Sequence, residues 1–186
     1  DHLPHRLAWH DLAFITALLV YLLVRLVRLA DYPIYFFTDE AVQTMLAADL
    51  LRDGFHSPGG ELLPAYFYNS YQYNLGTSVY LQVLPTALFD RSVTLTRLVS
   101  VLASLLAPLS CGLIIRNVLK RPYAWLAVLV LSLTPAWFLH SRTAFETSLA
   151  AALYALFLYA YLRYRTDSPR YLFLAVTAAA LTFYAY

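Results

Sequence analysis

The stretch LGTSVYLQVLPTALF, Leu75–Phe89, decides how this chain folds, because it is apolar enough to be read in two ways. It is shorter than the ~20 residues that a helix needs to cross a bilayer. It contains Gln82 and Pro85, and the tyrosine- and asparagine-rich AYFYNSYQYN (Ala65–Asn74) precedes it. If Leu75–Phe89 crosses the membrane, the N-terminus is outside, and Asp39 and Glu40 lie in the cytoplasm. If it stays in the interface, the N-terminus is inside. Everything from about Asp31 to Thr96 is then outside, on the same face as Glu146. Counting charges accepts both readings, since the first puts Arg25, Arg28 and Arg52 inside. Composition tilts towards the interface, where tyrosine rings favour the headgroup level.

Five other segments approach or reach spanning length. They are Leu12–Ala30, with Arg25 and Arg28 near its far end; Leu98–Ile115, which has no charge; Tyr123–Leu139; Thr143–Leu162, with Glu146 near its start; and Tyr171–Tyr186. The connections give the orientation of the second half. Arg116, Lys120 and Arg121 follow one segment, and Arg163, Arg165 and Arg170 follow another. The positive-inside rule places both basic loops in the cytoplasm and His140–Glu146 on the opposite face. Hydrophobic residues make up 61% of the chain and charged ones 13%, against about 25% charged in soluble domains. The expected fold class is therefore all-α: a polytopic transmembrane helical bundle.

Several classes drop out. A net charge of +2, with no basic stripe interleaved with aromatics, gives nucleic acid nothing to bind. The single cysteine, Cys111, allows neither an internal disulfide nor a zinc cluster. There is no Gly-rich phosphate loop, HExxH or CxxC. His140 has no second histidine at metal spacing. The chain starts without Met and ends in an apolar run, so it reads as an excerpt of a longer protein. The first segment lacks a small-residue cleavage site and reads as a retained anchor.

Chemistry concentrates at the segment boundaries. In YPIYFFTDEAVQTMLAADLLRDG (Tyr32–Gly54), Asp39 and Glu40 open a helical pattern. Val42, Met45, Leu46 and Leu50 recur at three- and four-residue spacing, and Gly54 supplies a stop. This predicts an amphipathic helix lying on the membrane surface. The acid pair either caps that helix, satisfying free N–H groups, or does general-base work at a partly dry boundary. Arg142 and Glu146 are four apart, a spacing that shares a helix face. They form an ion pair, or Arg142 takes a phosphate while Glu146 assists an acceptor. Arg97, Arg25 and Arg28 either snorkel to headgroups or hold a lipid phosphate. The tyrosine-rich stretch is an interfacial belt or lines a sugar or lipid groove.

Read in order, these motifs resemble a known family. VRLVRLADYPIYFFTDEAVQTMLAADLLRDG (Val24–Gly54), ELLPAYFYN (Glu61–Asn69), LTRLVSVLASLL (Leu95–Leu106), HSRTAFETSLAAALYALFLYAYLRY (His140–Tyr164) and LTFYAY (Leu181–Tyr186) are similar to polyprenyl-phosphate-sugar-dependent glycosyltransferases of the GT-C superfamily. The likeness is to the protein mannosyltransferase and aminoarabinose transferase branch. The resemblance implies the N-terminal portion of a GT-C-like transmembrane domain over residues 1–186. It has a cytoplasmic N-terminus and an external loop with membrane-surface helices over residues 31–97. It implies Asp39 as catalytic base, Glu40 as its cap or partner, and Glu146 as a second acid. Arg142 and Arg97 would hold the donor phosphate, with a divalent metal left open as a further stabiliser of the leaving charge. The partners are a polyprenyl-phosphate-linked sugar, an acceptor protein, lipid or glycan, and membrane lipids. Because the family has further spans, a piece of this length is not expected to act alone. Arg outnumbers Lys twelve to one and the loops are compact, which favours a prokaryotic inner membrane with the site on its extracytoplasmic face. A non-catalytic subunit or assembly factor is the alternative. A transporter is disfavoured because the acids sit at boundaries and the span middles are clean.

Overall fold

Two apolar runs set the frame. Val93–Val118 (26 residues, mean hydropathy 2.3) and Trp9–Leu26 (18 residues, mean hydropathy 1.6) are long and apolar enough to cross a membrane. At 1.5 Å per residue, about 20 helical residues match a ~30 Å hydrocarbon core. The computed structural model describes residues 3–69 and 71–185; Ser70 of the tyrosine-rich stretch and Tyr186 of the last segment lie outside the described residues.

The chain is an all-α bundle with one short hairpin. Its elements are α1 (Leu3–Leu26), α2 (Thr38–Arg52), β1 (Tyr66–Asn69), β2 (Gln72–Leu75), α3 (Gly76–Phe89), α4 (Val93–Ser104), α5 (Leu106–Leu113), a π-helical turn (Ile114–Val118), α6 (Ala124–Leu133), α7 (Pro135–His140), α8 (Glu146–Thr166) and α9 (Tyr171–Phe183). β1 and β2 pair antiparallel with Tyr68 opposite Tyr73. Helix α8 packs along α9 and α5, and α1 along α6. Phe14, Tyr21, Ala124 and Val128 form the core between α1 and α6. Gly112 of α5 lets three helices close up there. A Cβ on it would run into the Phe14 ring and approach the Ala124 carbonyl to 3.1 Å. Small residues play this part wherever helices meet in lipid, since packing rather than the hydrophobic effect drives the contact.

The bundle has two distinguishable ends. At one, Arg116 pairs with Asp11 at 3.0 Å and Trp125 Nε1 donates to His10 Nδ1 at 3.4 Å. At the other, α1 finishes, Arg25 Nε donates to Ser141 Oγ at 2.6 Å, and α8 begins. Helix α3 belongs to this second end. Its Thr77 N–H and hydroxyl donate to the Tyr184 and Leu181 carbonyls of the α9 terminus, at 3.1 and 3.0 Å. Farther along, Gln82 Nε2 donates to the Thr96 carbonyl near the start of α4 at 3.1 Å. Helix α3 also packs beside α2, where Ala47, Leu50, Phe67 and Val79 share a small core.

Several expected boundaries shift, each for a local reason. The first segment stops at Leu26, because the chain turns at Arg28, whose φ is 50°. The segment Tyr123–Leu139 is two helices. Pro135 disfavours helical backbone in the residue before it, and Thr134 is extended at ψ 111°. Helix α8 starts at Glu146, not Thr143. Helix α2 forms where the periodicity predicts, but it buries a different face. Glu40, Gln43, Thr44, Ala47 and Leu50 point inward, while Met45 is exposed. Polar partners from α4 and the turn before α8 draw that face inward.

Candidate active site

Four pieces of backbone converge at the α1-exit end: the turn after α1, the start of α2, α4, and the turn between α7 and α8. Three of them bring sequence-predicted residues, Asp39 and Glu40 on α2, Arg97 on α4 and Arg142 in the turn before α8, and the turn after α1 supplies carbonyls.

Arg97, on α4, is the hub. It and Glu40 are both fully buried. Its Nε donates to Glu40 Oε2 at 3.0 Å and its Nη2 to Glu40 Oε1 at 3.1 Å. The rest of the fork gathers the turn after α1. Nη1 donates to the carbonyls of Leu29, Ala30 and Pro33 (3.1, 3.3 and 2.9 Å), and Nη2 to that of Tyr35 at 2.9 Å. Arginine suits this task because its planar guanidinium offers five N–H donors in fixed directions. Glu40 is equally committed. Its Oε1 accepts from the Phe37 N–H at 3.2 Å, and its Oε2 accepts from the Ala144 N–H at 3.1 Å. Glu40 is thus the acid that satisfies a free N–H at the start of α2, reaching back from the third helical position.

Arg142 does not share a helix with Glu146, because α8 begins only at Glu146. It turns towards α1. Its Nη1 donates to the Val24 carbonyl at 3.2 Å and its Nη2 to Val27 and Arg28 at 2.8 and 3.2 Å. Nε and Nη2 also reach the Tyr32 carbonyl, at 3.3 and 3.0 Å. Val24 is among the carbonyls that the C-terminus of α1 leaves unpaired, and Val27, Arg28 and Tyr32 belong to the turn beyond it, where a cation is also favoured by the helix dipole. Both guanidinium groups are buried, and they donate to backbone carbonyls and, from Arg97, to Glu40.

The two remaining acids differ from Glu40. Asp39 is exposed, and among the described residues its carboxylate takes no hydrogen bond or ion pair. Glu146 is half-buried, and its Oε2 accepts from Gln43 Nε2 at 3.1 Å. Gln43 also donates to the Ala144 carbonyl at 2.7 Å. Gln43 is three residues after Glu40, so α2 presents both towards the turn before α8, while Asp39 stays exposed. Thr44 completes the seam with a 2.7 Å hydroxyl contact to Thr96 of α4. Sequence reading missed Gln43, Thr44 and Thr96. The signal was their spacing from the acid pair, but their partners lie more than 50 residues away. The Phe37 ring lies tilted against Phe145 (5.5 Å between ring centroids), which in turn meets His140 at 5.7 Å. These rings stand beside the two acids in the chain. No group of three His, Cys, Asp or Glu side chains converges at metal-binding separation among the described residues.

The arrangement holds one free carboxylate and one tethered carboxylate at the same end of a helical bundle, on a helix start fixed by a buried ion pair. A family model described as dolichyl-phosphate-mannose-protein mannosyltransferase matches residues 77–186. The match covers more than half of the chain, including Arg97, Arg142 and Glu146, and begins after the Asp39–Glu40 pair. Neither a curated protein nor a solved structure matches the chain. With its apolar helices and this match, the chain belongs to the dolichyl-phosphate-mannose-protein mannosyltransferase family, whose members are membrane-integral glycosyltransferases of the GT-C type.

Proposed function

We propose that this chain carries the catalytic acid of a transferase that moves a sugar from a polyprenyl-phosphate donor to a hydroxyl-bearing protein, lipid or glycan, with Asp39 as general base. Asp39 accepts the acceptor hydroxyl's proton while the acceptor oxygen forms a bond to the anomeric carbon. The bond from that carbon to the phosphate oxygen breaks, the lipid phosphate leaves with the electron pair, and the configuration inverts. Glu146 stands as the second acid, orienting the acceptor. Glu40, Arg97 and Arg142 act as positioning residues. One observation carries the reading: of Asp39, Glu40 and Glu146, only Asp39 is exposed with a carboxylate that takes no hydrogen bond or ion pair among the described residues.

The same geometry supports a topology. α1, the α4–α5 run, α6–α7, α8 and α9 cross the membrane, while α2, the hairpin and α3 lie on its extracytoplasmic face. Arg116, Lys120, Arg121, Arg163, Arg165 and Arg170 then fall on the cytoplasmic side. A prokaryotic inner membrane fits the arginine-rich composition.

The test is transfer by the full-length protein from a polyprenyl-phosphate-linked mannose. Asp39→Asn keeps the shape and removes the base, and the rate is expected to fall by about 10²–10⁴-fold. Full activity in that variant, with the protein folded and inserted, would remove Asp39 from the mechanism. If the full-length protein carries no transferase activity at all, the non-catalytic reading stands instead.

A further inference from the structure

The tyrosine-rich hairpin takes no part in the chemistry at Asp39. Where it meets the far end of α2, a cavity of about 590 Å³ opens. Leu50 and Phe67, both buried, and the rings of Tyr66, Tyr68 and Tyr73 supply its apolar lining. Tyr68 and Tyr73 are 63% and 68% exposed and meet edge to face, 5.5 Å between centroids. The polar lining comes from Asp49, Arg52 and Asp53 at the end of α2, and from His56 and Glu61 in the loop that follows. At the helical rise, Asp49 and Arg52 stand about 15–20 Å along α2 from Asp39.

Most of these polar groups are held in place by the protein itself. Arg52 Nη1 lies 2.8 Å from Asp49 Oδ1, and its Nε and Nη2 donate to Asp53 Oδ1 and Oδ2 at 2.9 and 3.0 Å. The loop is closed by the Leu63 N–H on the Phe55 carbonyl and the Ser57 N–H on the Glu61 carbonyl, both at 2.8 Å. His56 Nδ1 is 2.9 Å from the Gly54 carbonyl, and an imidazole that donates there keeps Nε2 as an acceptor. Among the described residues, the Glu61 carboxylate and the hydroxyls of Tyr66, Tyr68 and Tyr73 take no hydrogen bond. Groups already held lose little freedom when a ligand arrives. The lining also selects. A hydrocarbon chain would desolvate Asp49, Arg52, Asp53 and Glu61 without replacing their hydrogen bonds. An anion would meet three carboxylates and one guanidinium already paired with two of them. A neutral molecule with flat C–H faces and many hydroxyls meets both halves of the lining. Its C–H faces lie on the tyrosine rings, and its hydroxyls donate to Asp49, Glu61 and His56 and accept from Arg52.

We propose that this cavity is a carbohydrate-binding site, which takes neutral pyranose rings of a glycan against Tyr68 and Tyr73 and hydrogen-bonds them through Asp49, Arg52 and Glu61. Its distance along α2 from Asp39 makes it a holding site and not the place of transfer. That the glycan belongs to the acceptor rests on the transferase reading; the binding itself does not.

The test is saturation-transfer NMR on the full-length protein in nanodiscs, from its aromatic protons to the C–H protons of α-mannobiose, maltose, lactose and chitobiose. At least one of these disaccharides is expected to bind with a Kd of about 1 mM or tighter. Tyr68→Ala and Tyr73→Ala, both at exposed positions, should each weaken that binding about five- to tenfold. Glu61→Gln should weaken it about tenfold, and no described side-chain hydrogen bond or ion pair is lost with it. Asp39→Asn should leave it unchanged. Absence of binding by all four disaccharides overturns the proposal, as does binding that survives both tyrosine variants and Glu61→Gln. Loss of binding in Asp39→Asn would move the sugar to the catalytic end and overturn it too. Hexalysine that binds more tightly than every disaccharide would assign the cavity to a cation instead. Binding that meets these marks in a protein without transferase activity upholds the site and removes only its assignment to the acceptor.

Discussion

Asp39 and Glu40 are neighbours with opposite fates, and one bond separates them. Glu40 faces Arg97 and is spent four times, on two guanidinium nitrogens and two backbone amides. Asp39 faces solvent. A buried, hydrogen-bonded ion pair costs most when one member is removed, because the other is left uncompensated. Glu40→Gln and Arg97→Met should each lower unfolding stability by about 3–5 kcal/mol, read by denaturant titration of the detergent-solubilised protein. Arg97→Lys should recover little of that loss. An ammonium is a point charge with three donors and cannot gather four carbonyls and a carboxylate at once. Asp39→Asn should leave the same unfolding curve unmoved, because no described contact depends on it. The pair itself was legible in the sequence, down to the choice between cap and base. Which acid does which was not. That depends on Arg97, 57 positions away, and on the Ala144 amide.

At the scale of the element, α2 shows the limit of local pattern. Val42, Met45, Leu46 and Leu50 trace a helical stripe, and the helix they predict is there. Yet Gln43 and Thr44 are buried while Met45 is exposed, because the neighbours that α2 meets offer carbonyls, hydroxyls and a carboxylate. A hydrophobic stripe names the inward face only when what lies inward is apolar. The break at Thr134–Pro135 was legible in principle, since proline constrains the residue before it. It was hidden by the unbroken apolar run around it. Gly112 carried no readable signal, as its role is set by the Phe14 ring and the Ala124 carbonyl. Gly112→Leu should force α1, α5 and α6 apart, costing about 1–3 kcal/mol as an overpacked core does. Its measure is a lower melting temperature, with the Asp39 end's chemistry retained in whatever fraction stays folded.

At the scale of the whole molecule, the proposed topology makes one sided prediction. In a Cys111→Ser background, Thr38→Cys and Thr147→Cys should react with a membrane-impermeant thiol reagent from the same face, and Asp167→Cys from the other. Labelling of the first two from opposite faces would break the single-site geometry. The all-α class was plain from composition. The placement of α3 was not, because its apolarity suits either fate. The contacts of Thr77 with the end of α9 and of Gln82 with Thr96 bring both halves of α3 to one end of the bundle. The arginine clasp on the exit of α1 has a consequence in time. Its carbonyls are held by residues 97 and 142, and Glu40 receives its last bond from the amide of Ala144. A ribosome adding ~5–20 residues per second needs about 5–20 s to travel from Glu40 to Ala144. Through that interval the nascent chain has Asp39 but not the frame that aims it. The Asp39 end is thus completed only once Ala144 has been made, after α1, α2 and the α4–α5 run have been synthesised.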